Sequence, residues 1–352
     1  MYRFVRPLLF LFSTETMHCA VMLALGALRF VPWGRKAIKK CYTCRHKSLE
    51  VNVFGINFPN PVGLAAGFDK NAARTDELAC LGFGYVEVGS VTPLAQRGNP
   101  RPRCFRLPMD GAIINRMGFN NKGVEAAVKN LRKRNPALVV GGNIGKNTLT
   151  PNNKASDDYE KCFVALYPYV DYFVVNVSCP NVSCLRELQS GERLTEIVRR
   201  LTAHRARQPQ RKPILLKLSP DLTTEQIDES LAVIAAEGLD GVVAVNTTTC
   251  RDGLQSPKGK VEGIGAGGLS GAPLTRQALE TVRYVSRKTQ GKLPIIGVGG
   301  IMTPQDALNM LHAGASLVQV FTGFIYRGPG IAKEICREVA KDASRQIVAR
   351  KI

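Results

Sequence analysis

Eight short apolar runs alternating with helical patterns from about residue 61 onward predict an α/β fold, a (β/α)8 TIM barrel. Two further observations agree. Each run ends in small or polar residues, as strands do where a barrel presents its site, and glycine or threonine pairs follow the last two runs, where barrels commonly hold phosphate. The runs are 62–65, 85–88, 138–142, 172–177, 214–218, 242–245, 295–298 and 317–321, and helical stretches are expected at 72–81, 192–205, 224–237, 275–287 and 304–313.

Residues 1–50 read differently from the barrel, expected over 51–352. They carry nine basic residues against Glu15 and Glu50, a net +7 within a chain of formal charge +20. Their apolar runs, 8–12 and 19–28, are too short to span a bilayer, which takes ~20 apolar residues. No small-residue cleavage site follows, so no removed signal peptide is expected. Ser13 or Thr14 can cap a helix beginning near Glu15 that is apolar over most of its circumference. Such a helix buries itself in lipid or against the barrel, and the basic cluster after it suits an anionic lipid surface. The ten cysteines form no framework and are expected to be free thiols. Cys41-x-x-Cys44 has only His46 nearby, so no metal site is expected.

Along the barrel, the strand ends deliver in turn Ala66, Gly67 and Lys70; Ser90 and Thr92; Asn143 and Lys146; Asn176, Cys179 and Asn181; Lys217 and Ser219; Asn246 and Thr247; Gly299 and Gly300; Thr322 and Gly323. Two long connections, 92–121 and 248–272, leave the same face and are expected to cover a substrate. The side-chain amides of Asn143, Asn176, Asn181 and Asn246 pair donors with acceptors, which suits a cyclic amide or imide. Gly297-Val-Gly-Gly300 and Thr322-Gly323 suit a phosphate, with Ser270 and Gly271 as further donors before a helix starting near Pro273. Cys179, set between Asn176 and Asn181, is the candidate catalytic residue. Gly263-Ile-Gly-Ala-Gly-Gly268 lies in a loop and lacks the acidic residue of a dinucleotide fold. No H-E-x-x-H, G-x-S-x-G or Walker loop occurs, and His18, His46, His204 and His312 stand away from the strand ends. A phosphate-anchored cofactor, a thiol base and a strand-five lysine together fit flavin redox chemistry.

These residues resemble the dihydroorotate dehydrogenases. The segments are Gly63-Leu-Ala-Ala-Gly-Phe-Asp-Lys70, Gly89-Ser-Val-Thr-Pro93, Asn115-Arg-Met-Gly-Phe-Asn-Asn121, Asn143-Ile-Gly-Lys-Asn147, Asn246-Thr-Thr248, Gly267-Gly-Leu-Ser-Gly271 and Pro294-Ile-Ile-Gly-Val-Gly-Gly300. The first 50 residues resemble the two-helix extension of class 2, the membrane-associated, quinone-reducing members. The resemblance implies FMN held by Ala66, Gly67, Ser90, Asn143, Asn176, Lys217, Ser270, Gly271, Gly299, Gly300, Phe321, Thr322 and Gly323. It implies dihydroorotate read by Lys70, Asn115, Arg116, Met117, Gly118, Phe119, Asn176, Asn181, Asn246 and Thr247, with Cys179 as base and His18 and Arg106 beside a quinone tunnel.

One feature departs from class 2. Class 2 members usually carry Ser in S-S-P-N, whereas Ser178-Cys-Pro-Asn181 has the Cys of soluble class 1, and Val182 is also class 1-like. Leu185-Arg186 and Leu188-Gln189 return to class 2, and the fifty basic and apolar residues of the extension weigh toward a quinone acceptor. A monomer on the cytoplasmic side of a bacterial membrane is expected, the alternatives being a mitochondrial inner membrane or the cytosol. The rival functions are a class 1-type enzyme using fumarate or NAD, a tRNA dihydrouridine synthase, and a non-enzymatic phosphate-binding barrel. Only about thirty residues follow the eighth strand, too few for the helical RNA-binding domain of the synthases, so no nucleic-acid partner is expected.

Overall fold

The computed structural model describes residues 2–178 and 191–349, so Cys179 and Asn181 lie outside the described residues. Three helices open the chain: α1 (Tyr2–Phe10), α2 (Thr14–Ala27) and α3 (Gly34–Tyr42). Helix α2 starts as expected, with the Ser13 hydroxyl accepting the Thr16 N–H at 3.1 Å. A hairpin of β1 (Val51–Val53) and β2 (Ile56–Phe58) follows and closes the barrel floor, with Phe58 edge-on to Tyr85 at 5.2 Å.

All eight expected runs are strands of one closed parallel barrel. These are β3 (Val62–Leu64), β4 (Tyr85–Val91), then, after β5 (Cys104–Leu107) and β6 (Ala112–Asn115), β7 (Val139–Ile144), β8 (Tyr172–Val175), β9 (Ile214–Leu218) and β10 (Gly241–Ala244). After β11 (Gly268–Gly271), β12 (Ile295–Val298) and β13 (Leu317–Val320) close the ring, β13 pairing with β3. The outer helices include α4 (Thr75–Ala79), α5 (Val124–Leu131), α6 (Ala155–Leu166), α7 (Gly191–Ala206), α8 (Thr224–Ala236), α9 (Lys258–Ile264), α10 (Thr275–Lys288), α11 (Pro304–His312), α12 (Thr322–Arg327) and α13 (Ile331–Ala349).

The helix expected at 72–81 is shorter, because Ala72 sits at φ 53° and the Asp69 carboxylate takes the N–H groups of Ala73 and Arg74 at 2.8 Å each. The two long connections are more ordered than loops. They pair as the antiparallel sheet β5–β6–β11, with Gly268 opposite Asn115 and Gly271 opposite Ala112, and the second also carries α9. Pairing between segments so far apart in the chain leaves little local periodicity to read.

Strand alternation divides the core in two. Phe173 and Val175 of β8 face the helices, while Tyr172 and Val174 face the barrel interior with Leu215, Val243, Ile296 and Leu317. The same parity turns Glu87, Asn143, Lys217 and Gln319 inward, one or two steps nearer the strand C-termini than the apolar layer. Room for the inward Tyr172 ring comes from Gly141, where a Cβ would stand 2.2 Å from that ring. Gly141→Ala should therefore destabilise the protein by about 1–3 kcal/mol through overpacking, read as a lowered midpoint of denaturant unfolding with FMN absent.

Candidate active site

The inward polar residues meet at the C-terminal end of the barrel. Asn143 is fully buried and donates from Nδ2 to Glu87 Oε1 at 2.8 Å, and its Oδ1 accepts the Ser90 hydroxyl. Ser90 Oγ in turn accepts Asn176 Nδ2 at 2.8 Å. Asn176 Oδ1 accepts Asn246 Nδ2 at 3.3 Å, and Asn246 Nδ2 also reaches Ser178 Oγ at 2.9 Å. Three of the four asparagines singled out from the sequence thus share one hydrogen-bonded array. An array of this kind is tolerable in a core because its members satisfy one another.

Lys217 lies on β9 with only 6% of its surface exposed, and its ammonium has no hydrogen-bond or ion-pair partner among the described residues. An unpaired buried ammonium is costly, so this position suits an anionic or electron-rich ligand edge.

Around the rim, Lys70 Nζ donates to Asn120 Oδ1 at 2.8 Å, and Asn115 Nδ2 donates to the Gly268 carbonyl at 3.3 Å. Met117, Gly118 and Phe119 form a tight turn in which Gly118 and Phe119 take φ of 67° and 51°. Gln96 Nε2 braces that turn through the carbonyls of Gly118 and Phe119 at 3.0 and 3.2 Å. Arg116 is built into the loop fabric: it donates to the carbonyls of Ile264 and Pro102 and its guanidinium lies 5.0 Å from the Phe105 ring centroid. Across the mouth, Thr322 Oγ1 donates to Ser270 Oγ at 2.8 Å at the start of α12. Gly271, Gly299 and Gly300 turn with φ of 105°, 114° and 71°, presenting backbone rather than side chain. Phe321 and Gly67 pack alongside, a Cβ at Gly67 standing 3.3 Å from the Phe321 ring. Ala65 and Phe321 belong to or border the interior core, which places Ala66 at the same rim.

His18 reaches the mouth, contrary to the expectation that the histidines stand apart from strand ends. Its Nε2 pairs with the Phe68 carbonyl at 2.8 Å, in the loop after β3, and its ring stands edge-on to Phe68 at 5.1 Å. It arrives there by the docking of α2, which Arg74 secures through the Met22 carbonyl at 3.0 Å and Arg103 through Glu15 at 2.9 Å. Arg106 lies across β5 under α1, donating to the carbonyls of Phe12 at 2.8 Å and Phe10 at 3.3 Å, with the Phe10 ring 4.5 Å away.

Glu87, Gln319 and Ser178 belong to the array and are not among the residues that the strand ends single out. The sequence does carry a signal for Glu87 and Gln319, a lone polar residue at the inward position of an otherwise apolar strand.

Burial lowers the His18 pKa below the ordinary value of 6.5, outweighing its bond to Phe68. The unfolded ring therefore takes a proton that the docked ring resists, and docking weakens as pH falls through 6.5 and below. Hydrogen-exchange protection factors in α2, taken relative to the base-catalysed intrinsic rate at each pH, should fall on going from pH 7.5 to 5.5, and His18→Gln should abolish most of that fall.

A family model described as dihydroorotate dehydrogenase matches residues 48–342. The chain is 49% identical over 335 residues to the dihydroorotate dehydrogenase (quinone) of Christiangramia forsetii, covering 95% of this chain and 97% of that protein. To the protein of the same name from Marinobacter nauticus it is 45% identical over 98% and 100% of the two chains. A crystal structure of Eimeria tenella DHODH in complex with ferulenol matches with a TM-score of 0.86 at 35% identity, over 96% of this chain and 93% of that one. The chain belongs to the dihydroorotate dehydrogenase family, and among curated proteins it is similar to members named for a quinone.

Proposed function

We propose that this protein oxidises dihydroorotate to orotate, a step of pyrimidine biosynthesis, using FMN in the barrel mouth and a respiratory quinone as final acceptor. The observation that carries the reading is the buried amide array, together with a buried Lys217 whose ammonium has no partner among the described residues, in a chain similar to quinone-type family members along almost its whole length.

The residues suit FMN. Ser270, Gly271, Gly299, Gly300, Thr322 and Gly323 form a neutral cradle of hydroxyl and backbone groups for the phosphate, while Ala66, Gly67, Ser90, Asn143, Asn176 and Phe321 line the adjoining mouth. When bound, FMN supplies the acceptor for the hydride that leaves C6 of the substrate. Lys217 would hold the ring system of bound FMN and supply a positive charge to offset the negative charge of its reduced form, an interaction that burial would strengthen. Asn176, Asn181 and Asn246 hold the dihydropyrimidine ring with Thr247, and Lys70, Asn115 and the 116–119 turn hold its carboxylate side. Cys179 takes the C5 proton, and a thiol with an ordinary pKa of about 8.5 is a far easier base than a serine hydroxyl.

Residues 1–50 serve as the lipid- and quinone-facing extension and 51–352 as the catalytic barrel. Phe4, Leu8, Leu11, Leu23, Phe30 and Trp33 are more than half exposed, whereas apolar side chains in the barrel are largely buried. Beside them, α3 carries Arg35, Lys36, Lys39 and Lys40. No described helix is long and apolar enough to cross a membrane, so the extension is read as lying in the interface of the bacterial cytoplasmic membrane, on its cytoplasmic side. The quinone then approaches between α1 and α2, past Arg106 and His18. The proposed state is a monomer.

Two experiments test these assignments. Cys179→Ala should slow anaerobic bleaching of the flavin by dihydroorotate on the order of 10²- to 10⁴-fold; bleaching at the wild-type rate would remove Cys179 from the mechanism. Replacing Phe30 and Trp33 together by Ala should lower co-sedimentation with vesicles containing anionic phospholipid by at least about tenfold, because each aromatic contributes on the order of 1.5–3 kcal/mol when buried. Unchanged partitioning would exclude this face as the lipid contact.

A further inference from the structure

The amide array has a direction. At one end, the Thr247 backbone N–H donates to Asn246 Oδ1 at 3.0 Å, and a backbone N–H can only donate. From there Asn246 Nδ2 donates to Asn176 Oδ1, Asn176 Nδ2 to Ser90 Oγ, the Ser90 hydroxyl to Asn143 Oδ1, and Asn143 Nδ2 to Glu87. At this far end both carboxyl oxygens of Glu87 accept, one from Asn143 Nδ2 and the other from Gln319 Nε2. Each amide and hydroxyl between these two ends has one orientation that satisfies both of its neighbours. Reversing any of them would set two acceptors or two donors against each other in a buried site.

Glu87 anchors the whole sequence. It is fully buried on β4, and its second oxygen accepts Gln319 Nε2 from β13 at 2.6 Å. Gln319 aims its amide nitrogen at Glu87, and its Oε1 has no partner among the described residues. An amide at position 87 could donate or accept, and the single direction would be lost.

We infer that Glu87, held by Gln319 and lying below the proposed ligand contacts, is a positioning residue that sets the donor and acceptor faces which Asn143, Asn176 and Asn246 present to flavin and substrate. The inference rests on the reading of this mouth as the FMN site. Glu87 touches neither ligand in this arrangement; it acts through Asn143.

The test compares FMN dissociation from wild type, Glu87→Gln, and the double variant Glu87→Gln with Gln319→Glu. In the double variant the amide introduced on β4 can donate to the carboxylate introduced on β13 and still accept from Asn143. The original direction then returns with the charge moved one strand further along. Glu87→Gln should weaken FMN binding on the order of tenfold, the scale of one hydrogen bond to a charged group, and the double variant should recover most of the loss. A merely structural role for the pair would lower the unfolding midpoint of the apoprotein without this pattern of FMN loss and recovery. FMN held equally by wild type and Glu87→Gln, or no recovery in the double variant, would overturn the inference and leave the cofactor reading standing. Wild-type protein that takes up no FMN would remove both. Should the variants fail to fold, neutron diffraction of the wild-type holoprotein decides: deuterium on Asn143 Nδ2 directed at Glu87 is the expected result, and Asn143 turned with Oδ1 toward Glu87 refutes it.

Discussion

A polar layer sealed inside an apolar barrel is the constraint around which this molecule is organised. Glu87, Asn143, Lys217 and Gln319 are each less than a tenth exposed, and burying such groups is unfavourable unless every donor and acceptor is matched. The matching is achieved across strands, since β4, β7, β13 and the ends of β8 and β10 each contribute a member. The strands must therefore hold their relative register closely, and the layer below them supplies that rigidity. There Tyr85 and Tyr172 fill the interior where Gly63 and Gly141 leave space, and Phe58 from the floor hairpin packs against Tyr85. Apolar packing beneath and polar matching above are thus two halves of one device.

Two groups of this layer depart from the matching among the described residues: Gln319 Oε1, which has no partner, and Lys217, whose unmatched charge gives the device a purpose. Other buried cations among the described residues have acceptors: Lys146 donates to the Thr150 carbonyl, Lys212 to the Val170 carbonyl, and Arg205 to Asp240. Those contacts tie loops and helices to the barrel. An ammonium inside the barrel without such an acceptor stabilises nothing in the protein itself, and its cost is offset only when a ligand brings electron density to it.

The barrel was legible in the sequence because its evidence is local. Buried parallel strands are continuous apolar runs, and the residue at which polarity returns marks the site, so Ser90, Asn143, Asn176, Lys217 and Asn246 could be read in order. What escaped depended on distance in the chain. The β5–β6–β11 sheet joins residues 104–115 to 268–271, and His18, named by the resemblance but not by any pattern in the residues, reaches the mouth through an α2 docked by Glu15 and Met22 on Arg103 and Arg74. Neither leaves a periodic trace. Glu87 and Gln319 are a different case, for they sit inside strands whose apolar runs are plain, and only the parity of those strands, not their ends, sets the two residues apart. Cys179 and Asn181 are legible in local sequence alone and lie outside the described residues, so their roles stand on chemistry and resemblance.

The Cys in Ser178-Cys-Pro-Asn181 need not conflict with a quinone acceptor. In the proposed function, proton removal from the substrate and electron delivery to the acceptor are assigned to different parts of the chain: the first to Cys179, in the sequence that follows β8, the second to the extension that carries α1 and α2. A thiol in place of a hydroxyl alters the ionisation of the base and leaves untouched the contacts that seat the helices, such as Tyr2 on the Ile325 carbonyl at 2.6 Å and Arg6 on the Tyr326 carbonyl at 3.2 Å. A base and an acceptor site separated in this way can vary independently, so the acceptor is better read from the extension than from the base. On that ground the exposed apolar face of residues 4–33 carries more weight about the electron's destination than the identity of one side chain at the reacting carbon.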